Sequence, residues 1–201
     1  MASSTGTSGA KPVFVVTGQS GAGKGTLIKR LLERFPQLKL AVSATTRAIR
    51  PGEVDGVHYY FISDEEFDRR LAAGEFLEHH VFPWGQRSGT LVSEIDRIQA
   101  DGSVPLLELE TEGALNVADR VPGAITIFVT APLPELERRL RERATESAGE
   151  IEERVRVAKQ QLEVADRFDY RIENDELDRA TNELSAIVKR ELEAAATMSG
   201  R

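Results

Sequence analysis

The chain has 201 residues, 40% hydrophobic and 29% charged, with a net charge of −7 and no cysteine. That length suits one domain with a sizeable core, the missing thiols exclude disulfide and thiolate chemistry, and the acidic balance argues against a nucleic-acid-binding face. No apolar run reaches the length of a membrane span, and residues 1–11 lack the apolar segment of a signal peptide, so they read as a flexible tail and the expected location is cytoplasmic.

Val13 to Val16 form a short β-branched run of the kind found in buried parallel strands. Gly18-Gln19-Ser20-Gly21-Ala22-Gly23-Lys24 then fits G-x-x-x-x-G-K, and Leu27, Ile28, Leu31, Leu32 and Phe35 follow at helical spacing. Strand, glycine-rich loop and helix in this order make a phosphate cradle. The glycines let successive N–H groups turn inward, the helix N-terminus adds partial positive charge, and Lys24 adds a full one. Gly18 to Lys24, with Gly25 and Thr26, are therefore the candidate contacts to a nucleoside triphosphate. Gly25 stands at the usual Ser/Thr position, so the hydroxyl that normally touches Mg2+ is displaced to Thr26.

Further strand-like runs occur at 39–43, 104–109, 124–130 and 169–173, and helical patterns at 24–35, 90–101, 113–120, 134–143, 150–167 and 176–194. Their alternation predicts an α/β fold with a parallel sheet covered on both faces. Pro105 is awkward inside a central strand, which suggests a start at Leu106. Between about 44 and 88 the pattern changes to short strands around a helix-like SDEEFDRRLAAG, a small mixed α/β insertion. Residues 138–157, rich in Arg and Glu with Gly149 inside, read as two helices around a mobile turn, a candidate lid.

The stretch VSATTRAIRPGEVDGVHYYF, residues 42–61, carries Ser43, Thr45, Thr46, Arg47, Arg50, Gly52, Glu53, Gly56, Tyr59 and Phe61 in the order S-x-T-T-R-x-x-R-x-G-E-x-x-G-x-x-Y-x-F. Together with the phosphate loop it closely resembles the guanylate kinases, over about residues 12–193, with 194–201 left as a tail. The resemblance implies a three-layer P-loop kinase core, a GMP-binding insertion at 44–88 and a helical arginine-rich lid at 138–157. It implies ATP and GMP (with dGMP as a further acceptor) as substrates, Mg2+ as cofactor, and neither nucleic acid nor membrane as partner. Arg47, Arg50 and Tyr59 are assigned to the GMP phosphate; Ser43 and Glu78 to guanine, whose N1–H and N2 amine suit one carboxylate. Thr90 matches a small hydroxyl position, which would also suit a helix N-cap. Arg139, Arg143 and Arg154 match the arginines that join Lys24 around the transferring phosphoryl group. Asn174 reads either as an ATP-adenine contact or as a helix cap.

Several residues depart from the family pattern. Gln19 replaces the usual proline, Ser88 a tyrosine, and Ala144 a glycine; Arg87 is a candidate to replace the lost tyrosine contact. In LELETEGA, Glu108 matches a carboxylate able to hold hydrated Mg2+, and Glu110 replaces a guanine-binding aspartate. Metal contact is expected only through water, at Thr26 and Glu108. His58, His79 and His80 show no metal-ligand pattern. Two other readings of the same framework are a kinase for a ribose phosphate and a catalytically silent phosphopeptide-binding module.

Overall fold

The computed structural model describes residues 12–82, 85–142 and 148–199. In chain order the elements are β1 (Val13–Gly18), α1 (Lys24–Arg34), β2 (Leu38–Leu40), β3 (Ala44–Thr45), β4 (Tyr60–Phe61), α2 (Asp64–Ala72), β5 (Phe76–Val81) and β6 (Arg87–Leu91). They continue with α3 (Val92–Ala100), β7 (Val104–Glu108), α4 (Thr111–Arg120), β8 (Ala124–Thr130), α5 (Leu133–Glu142), α6 (Ala148–Leu162), β9 (Tyr170–Glu173) and α7 (Leu177–Ser199).

β1 lies at the centre of a five-stranded parallel sheet ordered β2-β7-β1-β8-β9. Both faces are covered, so the strand reads as continuously apolar and all six of its residues are buried. Alternation divides them between two cores. Phe14 and Val16 pack with Ile127 and Val129 against Leu27 and Leu31 of α1, Leu136 of α5, Ala158 of α6 and Leu184 and Val188 of α7. Val15 packs with Leu107 and Phe128 against Ile95 and Ile98 of α3 and Ala114 and Val117 of α4. The result is the expected three-layer α/β arrangement.

A second sheet, ordered β4-β3-β6-β5, stands apart from the first. β3 runs parallel to β4, and β6 runs antiparallel to both β3 and β5. Little in the residue pattern signals β3 or β6, and the helix expected from residue 90 begins at Val92. Residues 87–91 look like a Ser/Gly loop, yet they are extended because partners lie on both sides. Gly89 is required there: a Cβ would come within 2.6 Å of the Glu78 carbonyl and 2.8 Å of the Phe76 ring.

Other boundaries shift for local reasons. Pro105 lies inside β7, not before it. Val104 donates to Gln37 on the β2 side, so Pro105 turns its missing N–H toward β1, whose pairing with β7 begins only at Leu106. β2 ends at Leu40, two residues before Val42 is taken up by Glu94. Gly149 falls in the first turn of α6, the turn expected before it lies outside the described residues, and α7 runs to Ser199, past the expected end at 194.

Gly18 ends β1 with φ +142°, and a Cβ there would lie 2.0 Å from the Val129 carbonyl oxygen. Gly18→Ala is expected to cost about 3 kcal/mol or more, lowering the melting temperature by about 10 °C, as thermal denaturation followed by circular dichroism would show.

Candidate active site

The loop between β1 and α1 is curled by three glycines at positive φ, Gly18, Gly21 and Gly23. Gly23 is the N-cap of α1, and the first turn carries no acidic residue, so the positive end of the helix is not neutralised. Lys24 opens the helix, and its ammonium donates to the carbonyls of Gly18 at 2.9 Å and Gln19 at 3.2 Å. Asn174, at the end of β9, supports the loop from behind. Its Nδ2 donates to the Ala22 carbonyl at 2.7 Å, and a Cβ on Gly23 would lie 2.7 Å from that nitrogen. Asn174 is buried with Oδ1 unpartnered, while Asp175 accepts from the Glu176 N–H before α7, so the capping alternative for Asn174 falls away.

Lys24 faces a cleft also lined by Leu40, Ala41, Ser43, His58, Tyr59, Glu78, His80, Phe82, Ser88, Glu108, Leu109 and Glu110. Residues from the phosphate loop, both sheets and the start of α4 thus meet in one space. Glu78, on β5, is only 6% exposed. Its Oε1 accepts the Thr90 N–H at 2.8 Å, and its Oε2 lies against Gly113, where a Cβ would be 2.5 Å away. Burial pushes the Glu78 carboxyl above its ordinary value, against the Thr90 hydrogen bonds, and the nearby Glu110 adds to the rise. Glu110 is the N-cap residue of α4 and makes no side-chain capping bond. Thr90 is in β6 and caps no helix; it lies against Glu78, while the Thr111 hydroxyl is buried without a hydrogen-bond partner.

Arg47 stands beside the cleft, stacked over the Tyr59 ring at 5.3 Å. Glu53 holds it through two hydrogen bonds of 2.9 and 2.7 Å and also accepts the Arg50 N–H. These contacts lower the Glu53 carboxyl to about 2. Arg50 is exposed, and its guanidinium makes no hydrogen bond among the described residues. Ser88 lines the cleft and donates to the Ala44 carbonyl at 3.1 Å. Arg87 does not take over from it: its guanidinium lies over the Phe67 ring and is paired with Asp64 and Asp68 of α2. Alternation along β6 sends Arg87 and Ser88 to opposite faces, which corrects the expectation that Arg87 serves the cleft.

Arg139 on α5 touches the phosphate loop from outside the cleft, donating to Ala22 and Asn174 carbonyls at 3.4 and 3.0 Å while paired with Glu135. Arg154 is half-buried on α6. Arg143 and Ala144 lie outside the described residues. Thr26 is exposed on α1. The Glu108 side chain opens to the cleft; the surrounding protein raises its carboxyl, while Lys24 pulls it down. Among the described residues no three His, Cys, Asp or Glu side chains group as metal ligands. This donor set fits a hydrated ion that arrives with a polyphosphate rather than one caged by protein.

Two residues beside the cleft were not singled out by sequence reasoning. Gly113 had a readable signal, a glycine inside a helix. Glu94 had none: it looks like any exposed helix carboxylate but is 2% exposed. It accepts from the Val42 N–H, the Tyr60 hydroxyl and Arg97, tying α3 to the segment that carries Ser43 and Tyr59. Burial alone would raise its carboxyl, but these hydrogen bonds outweigh it and the group lies below its ordinary value.

A family model described as guanylate kinase matches residues 10–191. A guanylate kinase from Synechococcus elongatus is 45% identical over 177 residues, covering 88% of this chain and 96% of the relative. One from Rubrobacter xylanophilus is 44% identical over 179 residues, covering 89% and 93%. The crystal structure of guanylate kinase from Anaplasma phagocytophilum superposes with a TM-score of 0.72 at 27% identity, covering 92% of this chain and 87% of that one.

A buried carboxylate with a raised pKa destabilises the folded protein wherever it is ionised. Its protonated form carries no such penalty, so the cost is absent below the ordinary carboxyl value of 4.5 and appears as pH rises through the raised one. Glu78→Gln keeps an acceptor for the Thr90 N–H without the charge. It is expected to melt a few degrees above the wild type at pH 7, with the difference closing near pH 4, as measured by calorimetry at both pH values.

Proposed function

This chain belongs to the guanylate kinase family and is an ATP:GMP phosphotransferase, and we propose the following division of labour among its residues. The observation that carries it is the meeting in one cleft of Lys24, at the head of the phosphate loop, and the buried carboxylate of Glu78.

ATP is held by its phosphates. The N–H groups of Gln19, Ser20 and Ala22 are taken up within the protein, and Gly18 to Ala22 shape the cradle. The loop therefore offers the phosphates the N–H groups of Gly21 and Gly23, the N-terminus of α1 with Gly25 and Thr26, and the Lys24 ammonium. The carbonyls of Gly18 and Gln19 hold that ammonium at the mouth of the loop, so little reorganisation is needed. Asn174 supports the loop through its amide nitrogen, which is spent on Ala22, and its unpartnered Oδ1 is left to accept from the adenine amine.

GMP occupies the side between the two sheets. Arg47, pre-set by Glu53 and Tyr59, grips its phosphate together with Arg50 and the Tyr59 hydroxyl. Glu78 accepts from guanine N1–H and the N2 amine, with Ser43 and Glu110 on the same base. Thr90, bound to Glu78 through its N–H, is assigned to the same base. Adenine offers no such donor pair, and leaving a buried carboxylate unmatched costs about 2–4 kcal/mol.

The attacking oxygen belongs to the GMP phosphate and is already anionic, so no general base or covalent intermediate is needed. The protein aligns acceptor and donor and neutralises the charge between them, through Lys24 with Arg139, Arg143 and Arg154. Glu108 and Thr26 would hold Mg2+ through water, and the ion would supply neutralisation of phosphate charge there. No helix among the described residues is long and apolar enough to cross a membrane, and a cytoplasmic setting, where ATP and GMP are found, is part of the reading.

ADP release measured with GMP, dGMP, AMP and UMP tests the assignment. GMP should exceed AMP and UMP in kcat/KM by at least about thirtyfold; equal turnover of AMP would overturn the role of Glu78. A methyl group at position 113 would push Glu78 out of place, so Gly113→Ala should raise the KM for GMP about tenfold while leaving the KM for ATP unchanged.

A further inference from the structure

Gln19 is the second residue of the phosphate loop, yet it is 1% exposed and does not line the cleft. The amide meets two backbone groups that belong to different elements. Its Oε1 accepts the N–H of Ala131 at 3.0 Å, and its Nε2 donates to the carbonyl of Ala158 at 3.0 Å. Ala131 follows β8 and leads into α5, while Ala158 lies in α6 near its end. One side chain therefore joins the way into the α5–α6 segment to the way out of it. The next residue adds a second tie, since the Ser20 N–H donates to Gln161 Oε1 at 3.0 Å, again on α6.

The backbone of the same residue is engaged with β8 and with the rest of the phosphate loop. The Gln19 N–H donates to Val129, and its carbonyl accepts from the Ala22 N–H and from the Lys24 ammonium. Any movement of α6 at Ala158 or Gln161 is thus transmitted to a loop residue one hydrogen bond from the catalytic lysine. A rotation of the loop on taking up phosphate is transmitted the other way. Buried amides satisfied on both ends have one orientation, so the linkage is stiff.

We propose that Gln19 is a positioning residue that, with Gln161, locks the base of the α5–α6 segment to the phosphate loop, so that the arginines of that segment and the triphosphate grip move as one unit. The proposal rests on the kinase reading above and deepens it. It concerns the ATP half alone, because Gln19 and Gln161 are absent from the cleft residues and contact neither Glu78 nor the Arg47 loop.

The test compares Gln19→Leu, Gln161→Leu and their combination with the wild type in steady-state assays varying ATP and GMP separately, alongside calorimetric ATP binding. Val188→Ala, a buried change in α7 away from the loop, serves as a control for destabilisation. Gln19→Leu should lower kcat and raise the KM for ATP, each about tenfold, with the KM for GMP within about twofold. Gln161→Leu should do the same more weakly, and the double variant should fall short of the product of the two, since both ties hold one helix. Gln19→Glu, which keeps an acceptor for Ala131 and loses the donor to Ala158, should lie between. If Gln19→Leu does not fold, Gln19→Glu and Gln161→Leu decide the question. The proposal is overturned if these variants keep wild-type kcat and ATP affinity, or lose no more of either than Val188→Ala does. A wild type without GMP-dependent ADP release would refute the kinase reading instead.

Discussion

The structure depends on a tight curl of backbone between β1 and α1, where chain atoms approach too closely for any side chain. Gly18 is pressed on the Val129 carbonyl and Gly23 on the Asn174 amide. A free loop with three glycines would lose much conformational entropy on ordering. Here neighbours hold the curl from behind: β8 through Val129, the end of β9 through Asn174, α5 through Arg139 and α6 through Gln19 and Gln161. That leaves the inner face of the loop, and the lysine at its end, for phosphate. The parallel sheet matters to function chiefly because it brings these supports to the carboxyl end of β1.

Two buried carboxylates show how similar groups take different tasks. Glu94 is saturated by a backbone N–H, a phenol and a guanidinium, stays charged at little cost, and binds the small sheet to α3. Glu78 is supported by Thr90 and His80, but burial and the acidic Glu110 outweigh them, so its charge is poorly supported without a ligand. A site that is destabilised when empty and satisfied when filled discriminates well among ligands. The contrast also separates a tethering residue from a recognition residue without appeal to position in the sequence.

Much of this was legible in the sequence, and the gaps have physical causes. The strand–loop–helix of residues 13–35 could be read because an apolar run, glycine spacing and helical periodicity agree. β3 and β6 were hidden because two- and five-residue strands rich in Ser, Thr and Gly owe their shape to partners that are distant in sequence. Pro105 misled because the general rule against proline in a central strand ignores which side of the strand its missing donor faces. Arg87 looked like a replacement for a phosphate contact, but strand alternation turns it to the opposite face, onto Asp64 and Asp68. Glu94 was silent, and Gln19 showed only as a departure from the usual proline, for a common reason: a polar side chain gives no sign in sequence that it will be buried and hydrogen-bonded inside.

In the proposed division the curled loop and Lys24 carry phosphoryl transfer, while the acceptor pocket is built separately from the insertion and the start of α4. Lys24→Ala tests this division most directly, with turnover of ATP and GMP measured beside calorimetric binding of GMP alone. The expected result is a fall in kcat of about a thousandfold or more, with GMP affinity within a few-fold of wild type and the fold intact. A Lys24→Ala protein that kept near-normal kcat would contradict it.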